Sequence, residues 1–310
     1  MALYPSHYYN TGYYPTTMKK QIPIITTLRL SYLITAFVVG CLALSITHSG
    51  LVNAQQQNNT VMQSQGTPGM NTTTTNATNM NIVLVHGTYV DGSSWSKVIP
   101  ILQNAGHKVI AVQLPLHSLA DDVATVKRAI DLVGAPVLLV GHSYGGFVIT
   151  NAAYNNPNVK GLVYVAALAP KEGQSLGNFV DFTKFPKGFL VFDNGGFVYI
   201  NPKVFGQALA QDTDPAQANV LAAEQKPFSK SILAEKSGPP AWKQLHSWYQ
   251  VSENDHAIPP DAERMFAKQI NATTISLPSS HASPLSHPNE VSKLILDATN
   301  NLTRGEKVAQ

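Results

Sequence analysis

Cysteine is almost missing: Cys41 is the one thiol in 310 residues, which excludes an intramolecular disulfide framework and a Cys-based metal site. Charge is sparse too, at 13% of residues. The formal net charge of +3 lies entirely at the N-terminus: residues 1–54 contain Lys19, Lys20 and Arg29 and no Asp or Glu, which leaves 18 basic against 18 acidic residues in the remainder. A neutral body with no Lys/Arg cluster offers no footprint for nucleic acid. Internal repeats are absent as well. What is present is apolar sequence, 44% of the chain, enough for a sizeable core and too much for wholesale disorder.

The longest apolar run, LSYLITAFVVGCLALSI at 30–46, follows the three N-terminal cations. Val52-Asn53-Ala54 then precedes QQQNN, a small-residue pattern of the kind signal peptidases cut. The run has about the shortest length that spans a bilayer. Residues 1–54 therefore read as an export signal, with an uncleaved membrane anchor through 30–46 as the close alternative. The expected location is outside the cytoplasmic membrane, secreted or anchored to its outer face. Residues 55–80 are Asn/Thr/Gln-rich and uncharged, a composition that reads as a disordered tether. Asn58, Asn71, Asn76, Asn271 and Asn301 each begin an N-x-T triplet, a glycosylation pattern that also arises by chance in such sequence.

From NIVLVHG at 81–87 onward, short apolar runs alternate with helical periodicity. SSWSKVIPILQNAG (93–106) reads as a helix with Pro100 as a kink, and KVIAVQLP (108–115) as a strand. Ser118 with Asp121 opens a helix with a capping box, and Asp121 and Asp122 read as first-turn charges. PVLLV, GGFVITNAAY and VKGLVYVAAL continue strand, helix, strand. Strict alternation of buried strands and helices implies a parallel sheet covered on both faces. The rhythm breaks over about 170–240, where aromatics are scattered among Gly and Pro with helical patches near 203–211 and 215–225. That stretch reads as an insertion over the C-terminal edge of the sheet. Alternation then resumes to about residue 303.

Between a strand and a helix stands GHSYG at 141–145, a G-x-S-x-G in the strand–turn–helix context that a nucleophile elbow requires. Ser143 is the candidate nucleophile. A serine needs a base, and the base needs an orienting acid; in this architecture the chain order is Ser, acid, His. His281, after the last strand in LPSSHASPLSH, is the candidate base, preferred over His256 and over His287, which stands at the start of the closing helix. In SENDHAIPP, Asp255 is the candidate acid and Glu253 the fallback. Asp261 reads as a helix-terminus charge. An oxyanion hole requires two backbone N–H groups. Tyr144, after the nucleophile, and Thr88, in the loop HGTYVDGSSW, are the candidates, with Gly87 allowing close approach. Trp242 and the aromatics of the insertion are expected to line a pocket. His86 and His142 read as structural, and with no metal-ligand spacing neither a metal nor another cofactor is expected.

LVHGTYVDGSSW, GHSYGG, SENDHAIPP and SSHASPLSHPNEV together resemble, in order and spacing, the α/β-hydrolase superfamily, in its small plant-esterase and hydroxynitrile-lyase branch with microbial relatives. The likeness covers roughly residues 80–302. It implies a mostly parallel, doubly wound sheet with a helical cap inserted after the sixth strand. Carried over by position, it implies Ser143 as nucleophile, His281 as base, Asp255 as acid, and Thr88 and Tyr144 as oxyanion donors. The lyase members of the branch carry a threonine where Gly87 stands and a lysine where Ala282 stands, so the implied reaction is hydrolysis of a small, fairly apolar carboxylic ester. A receptor-like fold without turnover, and carbon–carbon or carbon–nitrogen cleavage on the same residues, are the alternatives. Oligomeric state is left open.

Overall fold

The computed structural model describes residues 80–308, so the expected signal or anchor and all but the end of the tether lie outside the described residues. In chain order the strands are β1 (Asn81–Val85), β2 (Val109–Ala111), β3 (Val137–His142), β4 (Val159–Val165), β5 (Leu190–Phe192), β6 (Phe197–Ile200), β7 (Phe228–Ser229), β8 (His246–Ser252) and β9 (Thr273–Leu277). The α-helices are α1 (Ile99–Asn104), α2 (Leu119–Val133), α3 (Tyr144–Ala152), α4 (Pro202–Leu209), α5 (Pro215–Glu224), α6 (Pro260–Gln269), α7 (Ser283–Ser286) and α8 (Pro288–Val308). Six strands form one parallel sheet in the order β2-β1-β3-β4-β8-β9. The other three form a small antiparallel sheet, β5-β6-β7.

The sequence explains the layering. Along β1, Ile82 and Leu84 face one core, with Trp95 of the loop after β1 and Leu294 and Ile295 of α8. Val83 and Val85 face the opposite core, with Val126 and Ile130 of α2 and Phe147 of α3. A strand buried on both faces must be apolar at every position, and β1 and β3 are nearly so. At the outer strand β9 the sequence is TTISL and the first two residues are exposed, as an edge strand allows. Ser118 caps α2, its side chain accepting from Asp121 N at 3.0 Å, and Gly134 closes it with a positive φ of 78°.

Three expectations change. Pro100 does not kink a long helix: a 3₁₀ turn over Gly92–Trp95 comes first, and α1 starts with Pro100 in its first turn, where its missing N–H costs nothing. The insertion follows β4, and among the described residues only four strands of the main sheet precede it, not six. Nor is the cap purely helical: α4 and α5 are joined by the β5-β6-β7 sheet and short 3₁₀ turns. Short, aromatic-rich runs such as LVF and FVYI favour strand pairing, but at three or four residues they carry too little periodicity to be read in advance.

The cap is tied to the body at several points. Ser229 N donates to Leu116 O at 2.8 Å and Leu119 N to Glu235 Oε2 at 2.9 Å. Lys226 Nζ donates to Leu114 O. A separate apolar core of Ile200, Phe205, Leu209 and Leu221 holds α4 and α5 together and reaches the body at Leu285.

Candidate active site

Ser143 stands between β3 and α3 with φ 54° and ψ −123°, a backbone region that costs a non-glycine residue about 1–3 kcal/mol and persists only where its surroundings impose it. Here the imposition is visible. Ser143 N donates to Val165 O at 3.2 Å, and Ser143 O accepts from Leu168 N at 3.1 Å, so both peptide groups of the elbow are held by β4 and the segment after it. The flanking glycines are required by space. A Cβ on Gly145 would lie 2.3 Å from Val85 O, and one on Gly141 2.6 Å from the Gly145 carbonyl. Gly87, expected at the pocket, is not among the residues lining it and instead leaves room for the nucleophile: a Cβ there would sit 2.6 Å from Ser143 Cβ and 3.1 Å from its Oγ.

His281 and Asp255 come from the loops after β9 and β8. Asp255 Oδ2 accepts from His281 Nδ1 at 2.5 Å, with both side chains buried. Asp255 Oδ1 accepts from Ala257 N at 2.6 Å and Ile258 N at 2.8 Å. Burial alone would raise the Asp255 carboxyl, but the charge of the His281 imidazole and the hydrogen bonds it receives outweigh burial and hold it below the usual carboxylate range. Glu253, the fallback acid, is turned outward into an ion pair with Arg264 at 2.6 Å. Asp255 on one ring nitrogen leaves Nε2 of His281 to the cavity.

His142 packs beside that imidazole, ring centroids 4.7 Å apart, and its Nε2 donates to His281 O at 2.8 Å. Burial, and then the neighbouring His281 charge, push His142 down to about 3, so it is neutral. His86 is likewise pushed down to about 4 by burial. Its Nδ1 donates to Gly87 O at 2.8 Å and its Nε2 accepts from Leu114 N at 3.0 Å, bracing the loop after β1. Both are structural, as their positions in sequence suggest. His287 supplies backbone support, its carbonyl accepting from Val291 N at 3.1 Å.

Ser143, His281, Thr88 and Tyr144 all line one cavity of about 90 Å³. Tyr144 is the first residue of α3, so its amide is one of those a helix leaves without an internal partner. The cap supplies most of the remaining wall, including Phe179, Phe185, Phe189, Leu190, Ile200 and Phe228. Trp242 is not among the lining residues. It packs against the body core, and its indole Nε1 donates to Pro170 O at 3.0 Å, so its expected place in the pocket is corrected. His256, set aside as a base, does stand in the wall, with Nδ1 donating to Gln207 O at 2.9 Å.

Sequence reasoning missed Asp122. It lies in the first turn of α2 as expected, but its side chain is fully buried. Its oxygens accept from Leu116 N at 2.8 Å and from the Tyr144 hydroxyl at 2.9 Å. Burial raises this carboxyl to about 6. It fixes the Tyr144 ring beneath the elbow, a role that helix-start chemistry hides, because an Asp at that position looks the same whether it faces water or the core. Among the described residues no group of three His, Cys, Asp or Glu side chains is placed to hold a metal ion.

A strained serine between a buried strand and a helix, at the C-terminal edge of a parallel sheet, lines one cavity with an imidazole that is held by a buried carboxylate, an arrangement of the hydrolase type. The chain belongs to the alpha/beta hydrolase family, whose model matches residues 82–294. It is similar to polyneuridine aldehyde esterase of Rauvolfia serpentina, 24% identical over 255 residues and covering 71% of this chain and 96% of that protein. It is also similar to an alpha-hydroxynitrile lyase of Arabidopsis thaliana, 26% identical over 223 residues, covering 63% and 86%. A solved pyrethroid hydrolase from Sphingobium faniae shares the fold, with a TM-score of 0.61 at 21% identity over 71% of this chain and 97% of that one.

Proposed function

We propose that the protein is an exported serine carboxylesterase acting on small, fairly apolar esters. The observation that carries this is the opening of Ser143 and the His281–Asp255 pair into one apolar cavity. In this mechanism His281 Nε2 takes the proton from Ser143 as Oγ attacks the ester carbonyl carbon. The tetrahedral oxyanion forms beside the amides of Thr88 and Tyr144, where fixed donors stabilise it without reorganisation. The protonated imidazole then returns its proton to the departing alcohol, leaving an acyl-Ser143. Water, deprotonated by the same imidazole, hydrolyses the acyl-enzyme and restores the serine.

Cavity size and lining support the substrate class. The cavity is small, about 90 Å³. Phe179, Phe185, Phe189 and Phe228 leave little with which to pair a charged substituent. The names of the esterase and hydrolase relatives agree with hydrolysis. Ala282, in place of a lysine beside His281, removes the cation that the lyase branch carries there. The cation-flanked apolar run at 30–46 and the small-residue site at 52–54 support export or anchoring.

The test is a chromogenic ester panel with wild type and Ser143→Ala. Turnover of short apolar esters that Ser143→Ala abolishes is expected. Ligand binding without turnover in the wild type would instead favour a receptor-like protein. Intact-mass analysis after a serine-directed fluorophosphonate should place a single adduct on Ser143. The same spectrum reads where the mature chain begins: a start directly after Ala54 is expected of a cleaved signal, and retention of residues 30–46 of an anchor.

A further inference from the structure

Behind Asp255 lies a second carboxyl that the mechanism above does not use. Glu263, in the first turn of α6, is fully buried, and its Oε2 accepts from Ser252 N at 2.9 Å. Its Oε1 is buried and meets no N–H or hydroxyl donor. The Asp255 carboxyl lies within side-chain hydrogen-bonding reach of Glu263. Two carboxyl groups buried against each other cannot both be ionised without a cation between them, and no basic side chain among the described residues fills that place. Arg264, the next residue, turns outward to Glu253 at 2.6 Å and Asp261 at 2.8 Å.

One proton must therefore sit between the two, and the surroundings decide its owner. Asp255 receives three donors: two backbone amides and His281 Nδ1. Glu263 receives one. The better-solvated carboxyl carries the charge. Burial, and then the Asp255 charge, push Glu263 well above the ordinary carboxyl range while Asp255 stays below it. The other titratable groups around Glu263 do not supply a competing proton acceptor. From β8, Tyr249 is neutral and its hydroxyl donates to Ala167 O at 2.5 Å. From the loop after β8, Glu253 is held outside by Arg264. From the loop after β9, His281 lies on the far side of Asp255.

We propose that Glu263 is a positioning residue of this site: a neutral carboxylic acid whose O–H donates to the Asp255 carboxylate, holds it oriented toward His281 and moderates its hold on the imidazole proton. The proton stays on Glu263 throughout turnover. Underneath, Gln250 Nε2 and Ser279 Oγ each donate to Ser252 Oγ at 2.9 Å, and Ser283 Oγ donates to Gln250 Oε1 at 2.7 Å, so the end of β8 that anchors Glu263 is itself fixed. The inference rests on the assignment of Asp255 and His281 made above.

Three proteins decide it: the full chain as wild type, Glu263→Gln and Glu263→Met. Glutamine offers an N–H to Asp255 and a carbonyl to Ser252 N–H, so it is expected to keep kcat and the acid limb of the kcat/KM profile. Methionine offers neither. It is expected to lower kcat about tenfold, the scale of losing an outer hydrogen-bond partner of a site ligand, with KM unchanged. It should also move the acid limb upward, because an Asp255 carboxylate without its donor holds the imidazole proton more tightly. Rates are normalised to fluorophosphonate-titratable sites, which separates loss of fold from loss of function. Infrared difference spectra of wild type against Glu263→Gln at neutral pH are expected to show a protonated-carboxyl stretch that the substitution removes. Its absence would overturn the proposal, as would a glutamine variant as impaired as the methionine one. The spectrum needs no turnover, so a wild type inactive on every ester would sink the esterase reading and leave this measurement to stand alone.

Discussion

The body of the described structure and its cap are built on different economies of polarity. Every buried acid or histidine among the described residues (His86, Asp122, His142, Asp255, Glu263 and His281) belongs to the body. The insertion over 170–240 buries Phe205, Phe228, Ile200 and Leu221 and no such group. Body strands end in loops whose backbone amides and carbonyls satisfy the buried charges, and a charge can be buried only where such partners are fixed. Cap strands of two to four residues fix few partners. The lesson is a division of labour: the body holds the buried ionisable groups, including the proposed proton-moving ones, and the cap shapes the space into which they open.

If that division is real, the largest effects follow from the body. On the proposed mechanism, replacing His281 by Ala should lower kcat by about 10⁴-fold or more, and Asp255→Asn by a comparable factor, because Ser143 would lose its base or the base its orientation. Both should leave the preference among ester acyl chains unchanged. Steady-state kinetics over the ester panel checks this. A changed order of preference in either variant would break the comparison.

The next effect is the pH dependence of stability, and it too should arise in the body. His86 and His142 stay neutral in the fold down to about 4 and about 3, while in the unfolded chain each protonates near 6.5. As pH falls through that window the unfolded state takes up protons that the native state refuses, so stability is lost. At about 1.4 kcal/mol for each tenfold change in proton affinity, each histidine accounts for roughly 3 kcal/mol or more. Asp122 acts in the opposite sense. Its native carboxyl protonates near 6 and its unfolded one near 3.8, so it returns stability over that interval. Glu263, already protonated in the fold, likewise returns stability as pH falls toward its unfolded value of 4.5, so the expected result is a net loss from pH 6.5 to 3 smaller than the two histidines alone would give, measured by denaturant unfolding. Asp122→Asn should make the loss steeper between pH 6 and 4, because the compensating proton uptake is gone.

Smaller again is Gly145→Ala. A Cβ 2.3 Å from Val85 O requires β1 or the elbow to shift, at a cost of roughly 3 kcal/mol in overpacking. A fall in thermal midpoint together with a loss of turnover is expected. Unchanged activity would mean that the elbow tolerates displacement.

How much of this was legible beforehand follows the same boundary. The body's strands could be read because burial on both faces forces continuous apolar runs such as NIVLV and VLLVGH. That Ser143, Asp255 and His281 lie at strand ends near one cavity could be read from their order in the chain, and their roles as nucleophile, acid and base are the proposal made above. Asp122 and Glu263 could not be read. Both occupy first turns of helices, where acidic residues are favoured by the helix dipole whether or not they are buried. Their burial depends on tertiary neighbours, Tyr144 in one case and Asp255 in the other. The cap strands escaped for want of length, and Trp242 was misplaced because an aromatic near a pocket and an aromatic in a stem have the same local sequence.

The cap side of the comparison predicts selectivity without loss of chemistry. Phe189 lines the cavity from the cap. Phe189→Ala should lower kcat/KM for the best-fitting esters by about tenfold, the scale of lost apolar pocket contact, and improve bulkier ones, with kcat on small esters nearly kept. Equal losses across the panel would mean that the cap takes part in the chemical step.

Trp242→Phe should have the smallest effect and is the sharpest control. The indole donates from the 3₁₀ turn at Ala241–Lys243 to Pro170 O, joining the exit of the insertion to its entry. Nearby, Gly173 N donates to Ser237 O at 2.8 Å and Ser237 N to Gln174 O at 2.7 Å, so the two arms of the stem are already paired by backbone. Losing one more bond should cost about 1 kcal/mol, read as a slightly lower thermal midpoint. The order of ester preference should not move, because the ring stays outside the cavity wall. If Trp242→Phe reshuffles preference as Phe189→Ala does, the stem transmits to the pocket, and cap and body cannot be treated as separate devices.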